Sequence, residues 1–337
     1  MAADKPSRAP GRLRIVNPAD LTIRRVGRGR GFAYIDDADA LVRDRATLER
    51  IRSLVIPPAY CEVRIATDPR THLQAIGRDE AGRLQYLYHP EWERVRERRK
   101  LKRLRRLIEA LPRLRRAVAD DLKARPLCRR KALACAVAII DRCHLRIGGE
   151  PYAKSNGSHG ASTLLKRHVE LTASRIDLLF RGKGGKQIAC SLQDGSLARA
   201  LGRIAALPGR RLLQYRDDDG TVVPVHAADI NAYLREVSGL AISAKDLRML
   251  AGNAAAAELL LASQIITGDG SEKRQLAEVM RAVSEQLANT PAVTRKSYVH
   301  AIVVNAYANG KLAASFEKVR AGGGCSRIER ALALLAA

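Results

Sequence analysis

Residues 91 to about 125 constrain this chain more than any other stretch. Leu101, Leu104, Ile108, Leu111 and Leu114 recur there at helical spacing, and twelve lysines or arginines lie between Arg94 and Arg116. The apolar period demands a long helix with one face against a core. The cations cannot share that face, and crowded on one helix they repel one another. A solvated face is the ordinary reading of a charge run. This density instead points to a phosphate-facing segment that opens a second domain. Pro112 is expected to break or kink the helix, because proline lacks the amide hydrogen and crowds the preceding turn.

The rest of the chain repeats the bias. Among 337 residues there are 60 Lys and Arg against 35 Asp and Glu, a net charge of +25 and a pI near 10.4. That excess points to a polyanion, most often nucleic acid. An anionic membrane surface would need an amphipathic helix with aromatic anchors, and aromatics are only 4 %. The longest uninterrupted apolar run, Ala132 to Ile140, is too short to span a bilayer. MAADKPSRAPGRLRI lacks the apolar core of a signal peptide. Six cysteines include no CxxC and no zinc spacing, which implies a reducing cytoplasm. Cys135 and Cys143 read as small core residues on an apolar helix.

A hydrophobic content of 46 % and this length suit two globular domains. We expect a flexible basic tail over 1–20, a small β-rich domain over 21–92 and a larger, mostly α-helical domain over 93–337. The fold class is α+β. GFAYI (31–35), CEVRIAT (61–67), HLQAIGRD (72–79) and LQYLYH (84–89) read as strands, and residues 37–56 as helical in their second half. In the larger domain, residues 129–147 read as a buried helix ending at Gly148-Gly149. HVEL, RIDLLF and QIACSL read as strands, the last two joined by RGKGGK in a hairpin. Ser243 and Asp246 form a capping box that starts a helix through KDLRMLAGNAAAAELLLASQI. Further helices are expected at about 272–288, before Tyr298, and at about 326–336.

Five residues carry candidate chemistry. Tyr298, in TPAVTRKSYVH, is flanked by Arg295 and Lys296. A phenol titrates near pH ~10, and adjacent cations favour the nucleophilic phenolate. Arg146 lies in HLRIGG, where it could simply complement a helix C-terminus. Lys183 sits in the Gly-rich hairpin tip, which is no Walker A loop. Arg248 follows the capping box, ordinarily a surface position, and Asn289 ends a helix, an ordinary place for a C-cap. Taken as a set, Arg–Lys–Arg–Asn–Tyr suits phosphodiester transesterification. Guanidinium forks bind non-bridging oxygens bidentately. A lysine can protonate a departing 5′ oxygen.

With GRDEAGRLQYLYH, LRIGGEPYAKSNGSHGASTLLKRHV, FRGKGGK, KDLR and TPAVTRKSY in this order, the chain resembles the small type IB DNA topoisomerases of bacteria and poxviruses. The resemblance runs from about residue 20 to the C-terminus. It implies catalytic arginines at Arg146 and Arg248, a general acid at Lys183 and a nucleophile at Tyr298. The fourth position, a histidine in the poxviral branch, is Asn289 here, which can donate a hydrogen bond but carries no charge. The resemblance also implies DNA contacts from Gln85, Tyr86 and Tyr88 and a phosphate contact from Tyr152. It implies a two-domain clamp on double-stranded DNA, no ATP or metal cofactor, a monomer, and a cytoplasmic, nucleoid-associated place. A tyrosine recombinase is the nearest rival. It usually carries HxxR at the second arginine, where this chain has Lys245, and it lacks the GRxQYxY segment. A non-enzymatic DNA-packaging protein is a rival of another class. Finally, Asn289 and Tyr298 must face one phosphate, so we expect the Tyr298 helix to start late, with Thr294 as N-cap and Val293 as staple. Pro291 at the first helical position with Thr290 as cap is the alternative.

Overall fold

A computed structural model of the chain describes residues 13–29, 31–124, 126–263 and 271–337. Two compact units divide it, Met1–Arg99 and Lys100–Ala337. The fold is α+β, with a β-rich N-terminal part and a mostly helical remainder.

The first unit holds β1 (Ile23–Arg28), β2 (Gly31–Ile35), α1 (Arg45–Ser53), β3 (Cys61–Ile65), β4 (Leu73–Arg78) and β5 (Leu84–Tyr88). The strands form one antiparallel sheet in the order β2-β1-β3-β4-β5. Asp44 caps α1 by accepting the Thr47 amide at 2.8 Å, and Ile51 of α1 packs on Ile23, Val63, Ile65 and Ala75. Leu21, Ala66, Leu73 and Ile76 form a second cluster, with Val16 against it. That contact corrects the expected tail. Residues 1–12 lie outside the described residues, but Arg14 pairs with the turn before β4, donating to Arg70 O at 2.9 Å and accepting from His72 N at 2.8 Å. Strand β1, IRRVGR, has no apolar alternation to announce it. Its Arg25 is structural, donating to the carbonyls of Pro57 (3.1 Å) and Pro58 (3.3 Å) and lying over the Phe32 ring at 4.0 Å.

The helix α2 (Trp92–Lys123) starts in the first unit and continues into the second, where Leu104, Leu107, Ile108, Leu111, Leu114, Val118 and Leu122 enter the main core. It does not end at Pro112. Proline orphans the Ile108 carbonyl four residues back, and the buried Cys325 thiol donates to that oxygen at 3.6 Å. Arg115, one turn on, binds Asp141 (2.8 Å), Glu329 (2.8 Å) and the Gly324 carbonyl (2.7 Å). These contacts hold the helix on both sides of the proline and offset its cost of ~3 kcal/mol.

Then follow α3 (Arg129–Cys143), α4 (Glu150–Asn156), β6 (Val169–Leu171), β7 (Arg175–Arg181), β8 (Gln187–Gln193), α5 (Gly195–Ala205), β9 (Gln214–Arg216), β10 (Val222–Pro224), α6 (Ala227–Ser238), α7 (Ala244–Ala262), α8 (Ser271–Gln286), α9 (Pro291–Ser297), α10 (Ala301–Ala308), α11 (Lys311–Glu317) and α12 (Arg327–Leu335). Strands β6, β7 and β8 form the expected antiparallel sheet, closing at the hairpin pair Arg181↔Gln187. The β9–β10 pair was not expected from sequence. The Ser243–Asp246 capping box starts α7 as expected, with Ser243 N to Asp246 Oδ2 at 2.8 Å. The tail of the expected helix, Gln264 and Ile265, lies outside the described residues.

Two further expectations are corrected. Helix α3 ends at Cys143, not at 147, because His144 takes a left-handed conformation (φ 54°). The carbonyls of Arg146 and Ile147 then accept from Ala161 N (2.9 Å) and Ser162 N (2.8 Å), so this segment cannot be helical. Cys135 is a buried core residue as expected, but Cys143 is disulfide-bonded to Cys190 on β8 across 47 residues. No local spacing could reveal that pair, and a fully reduced cysteine set is not what the structure holds.

Candidate active site

The site is assembled in the second unit from three chain segments that turn at helix ends. The first is the extended run after α3. A glycine is required opposite it: a Cβ on Gly160 would lie 2.6 Å from Arg146 O and 2.6 Å from Gly148 N. This close approach fixes where Arg146 leaves the backbone. Its Nη2 donates to the Ala288 carbonyl at 3.2 Å and to Asn289 Oδ1.

The second segment is the start of α7. The capping box brings Arg248 inward on the second turn, where it is only 3 % exposed. Nη1 donates to the His144 carbonyl and Nη2 to the Leu287 carbonyl at 2.8 Å, while Nε is buried without a partner. Burial pulls both guanidinium groups below their ordinary range, and the neighbouring Tyr298 phenol acts the other way. Among the described residues no carboxylate pairs with Arg146, Arg248, Lys183 or Lys186.

The third segment runs from the end of α8 through α9. Ala288 is left-handed (φ 48°), and the Asn289 amide returns to Ser284 O at 2.8 Å. Asn289 is thereby buried, its Oδ1 held by Arg146 and its Nδ2 without a partner. The α9 N-cap is Thr290, which accepts the Val293 amide at 3.3 Å, with Pro291 first in the helix. Thr294 is instead buried inside α9, so the expected late start is wrong. A late start is unnecessary for a physical reason. Seven residues of helix span about 10 Å, and the long arginine side chains bridge that span. Arg146 holds Asn289, and the Arg248 guanidinium lies 5.5 Å from the Tyr298 ring centre.

Tyr298 is half-buried and follows the last turn of α9. Sequence reasoning missed the residue that fixes its backbone. Asn253 on α7 donates from Nδ2 to Tyr298 O (3.0 Å) and Met249 O (2.7 Å) and accepts the His300 amide at Oδ1 (2.8 Å). Beside it, Gly252 leaves room for the tyrosine: a Cβ there would meet Tyr298 O at 3.0 Å and Tyr298 Cβ at 3.1 Å. A polar residue inside the apolar run AGNAAAA was the available signal.

Lys183 lies exposed at the tip of the β7–β8 hairpin and lines one small pocket with Arg146, Arg248 and His144. Gly184 and Gly185 take positive φ (71° and 75°), which curls the tip. Tyr152 stands exposed on α4. In the first unit, Tyr86 and Tyr88 share the outer face of edge strand β5. Their rings lie 6.2 Å apart, Trp92 is 6.2 Å from Tyr88, and Arg99 covers Trp92. Gln85 faces the other way and donates to Asp79 Oδ2 at 2.9 Å. No group of three or more His, Cys, Asp or Glu that could hold a metal ion occurs among the described residues. No helix among them is long and apolar enough to cross a membrane.

Comparison with known proteins decides the family. The family model described as "Eukaryotic DNA topoisomerase I, catalytic core" matches residues 89–320, and "Bacterial DNA topoisomerase IB, N-terminal domain" matches 31–79. The chain belongs to the type IB DNA topoisomerases. A relative called DNA topoisomerase 1B, from Acanthamoeba polyphaga mimivirus, is 32 % identical over 285 residues, covering 82 % of this chain and 84 % of its own length. The type IB chain described here is accordingly an enzyme acting on DNA, a DNA topoisomerase.

Proposed function

We propose that this type IB enzyme relaxes supercoiled duplex DNA by transient cleavage of one strand. Tyr298 Oη attacks a backbone phosphorus, losing its proton to water, as the bond to the 5′ oxygen breaks. The products are a 3′-phosphotyrosyl link and a 5′-hydroxyl, with Lys183 giving its proton to the departing oxygen. Arg146 and Arg248 bind the non-bridging oxygens, and Asn289 Nδ2 donates to one of them. The cut end rotates about the intact strand, and the 5′-hydroxyl reverses the reaction. The covalent link stores the bond energy, so no ATP is required, and Lys183, Arg146, Arg248 and Asn289 supply the acid and the charge stabilisation.

The observation that supports this reading most is the convergence of the buried Arg248 and half-buried Arg146 guanidinium groups and a buried, unpartnered amide beside a tyrosine, with no carboxylate among the described residues to neutralise them. The aromatic face of Tyr86 and Tyr88 and the exposed Tyr152 are assigned to DNA contact, with Gln85 contributing once released from Asp79. Residues 21–92 act as the DNA-gripping domain and 93–337 as the catalytic one, in a monomer working on nucleoid DNA in the cytoplasm. The test is relaxation of a supercoiled plasmid in EDTA without ATP, by wild type and by Tyr298→Phe. Wild type relaxes the plasmid and forms a covalent adduct, whereas the variant binds DNA and does neither. Relaxation by the pure variant refutes the nucleophile, recombination at paired sites identifies a recombinase, and a gel shift alone identifies a packaging protein.

A further inference from the structure

The hairpin tip carries a second lysine that the Arg–Lys–Arg–Asn–Tyr set leaves out. Lys186 Nζ donates to the backbone carbonyl of Asn289. It thereby fastens the tip that carries Lys183 to the strap that carries Asn289. Asn289 is neutral, its Oδ1 is taken by Arg146, and its Nδ2 is buried without a partner. We propose that Lys186 supplies the positive charge that position 289 lacks, contacting a non-bridging oxygen of the scissile phosphate during cleavage. This rests on the transesterification reading above.

Three observations carry the proposal. An ammonium has three N–H donors, and the described residues offer Lys186 this carbonyl and no carboxylate. A neutral carbonyl is a weak partner for a full charge, so an arriving phosphate oxygen competes well for the remaining donors. The tip geometry also separates the two lysines. Gly182 N closes the tip by donating to Lys186 O at 2.7 Å, and left-handed Gly184 and Gly185 lie between the lysines. Lys183 is exposed and lines the pocket with Arg146 and Arg248, free to reach a leaving oxygen. Lys186 is tied to the strap beside Arg146. The division of labour follows: Lys183 gives up a proton, whereas Lys186 keeps its proton throughout, and no bond to it forms or breaks.

Single-turnover cleavage of a nicked DNA substrate at saturating enzyme tests this. Lys186→Ala should cleave the ordinary diester ~10–10²-fold more slowly, below the full range for losing a preorganised donor because Lys186 is exposed. Lys186→Arg should stay close to wild type. A 5′-thio leaving group, which needs no proton, should rescue Lys183→Ala and leave Lys186→Ala slow. A neutral methylphosphonate at the scissile position removes the charge that Lys186 meets, so on one of its two diastereomers the gap between wild type and Lys186→Ala should close. Asn289→His placed on Lys186→Ala should recover part of the lost rate. The proposal is overturned if Lys186→Ala cleaves the diester at the wild-type rate, if the thio substrate rescues it, or if its deficit is equal on the diester and on both methylphosphonates, which would make its role structural. Loss of diester cleavage by wild type itself, or cleavage by Tyr298→Phe, would instead sink the reading beneath it.

Discussion

Gly160→Ala puts the backbone argument at risk with one methyl group. The added Cβ would stand 2.6 Å from Arg146 O, 2.6 Å from Gly148 N and 2.7 Å from Gly148 Cα, all backbone atoms with no rotamer to relieve them. Carbon contacts are comfortable at about 3.5 Å, so the two segments must part by roughly 1 Å. The hydrogen bonds from Ala161 N to Arg146 O (2.9 Å) and from Ser162 N to Ile147 O (2.8 Å) open with them. Two such bonds contribute about 1 kcal/mol each, and overpacking adds ~1–3 kcal/mol, so the variant should lose about 3–5 kcal/mol of stability. The displacement also moves Arg146, and an error of ~1 Å in a positioned group costs on the order of 10²-fold in rate. Urea unfolding followed by circular dichroism measures the first effect, and single-turnover cleavage of the folded variant measures the second. Gly202→Ala is the control. It lies inside α5 with nothing within 4 Å of the added carbon, and it should gain ~0.5–1 kcal/mol. A Gly160→Ala protein that unfolds at the wild-type urea concentration refutes the packing argument. One that is destabilised yet cleaves at the wild-type rate refutes the link from Gly160 to Arg146.

Lys183→Ala should slow cleavage by ~10²–10⁴-fold, with recovery on a 5′-thio substrate; equal slowness on both substrates would mean that Lys183 is not the acid. Asn253→Ala removes the donor to Tyr298 O and the acceptor for His300 N. It should lower the cleavage rate while DNA affinity holds, and a variant that cleaves normally would show that α9 and α10 fix the tyrosine unaided. DNA affinity should fall with salt at a slope of roughly −4 or steeper in log K against log [salt], each neutralised phosphate contributing about −0.9. A slope near −1 would mean that the basic surface does not line the DNA path.

What the sequence disclosed and what it concealed separate by range. The β7–β8 hairpin was legible because strand alternation and the Gly-rich turn lie within twenty residues, and the α7 start was legible because a capping box is a four-residue signal. Strand β1 was not, since its Arg25 finds its partners at Pro57 and Pro58, some thirty residues on. Pro112 misled for the same reason: the thiol that satisfies the orphaned Ile108 carbonyl belongs to Cys325, 217 residues from that carbonyl. Thr290 as the α9 cap was a local alternative set aside on an argument about distance that took no account of how far a guanidinium reaches.

Arg248 is the sharpest case, because KDLR reads locally as surface, yet the side chain is 3 % exposed. Its partners are backbone carbonyls at the C-terminal ends of two helices, His144 after α3 and Leu287 after α8, and Arg146 takes Ala288 beside the second of them. Helix C-termini carry about half a negative charge each. They hold a buried guanidinium in place without cancelling it, whereas a carboxylate would neutralise it and compete with the substrate. The proposed anion-binding site, built this way, keeps most of its positive charge for a phosphate, and it places that charge through three turns of backbone that no single stretch of sequence encodes.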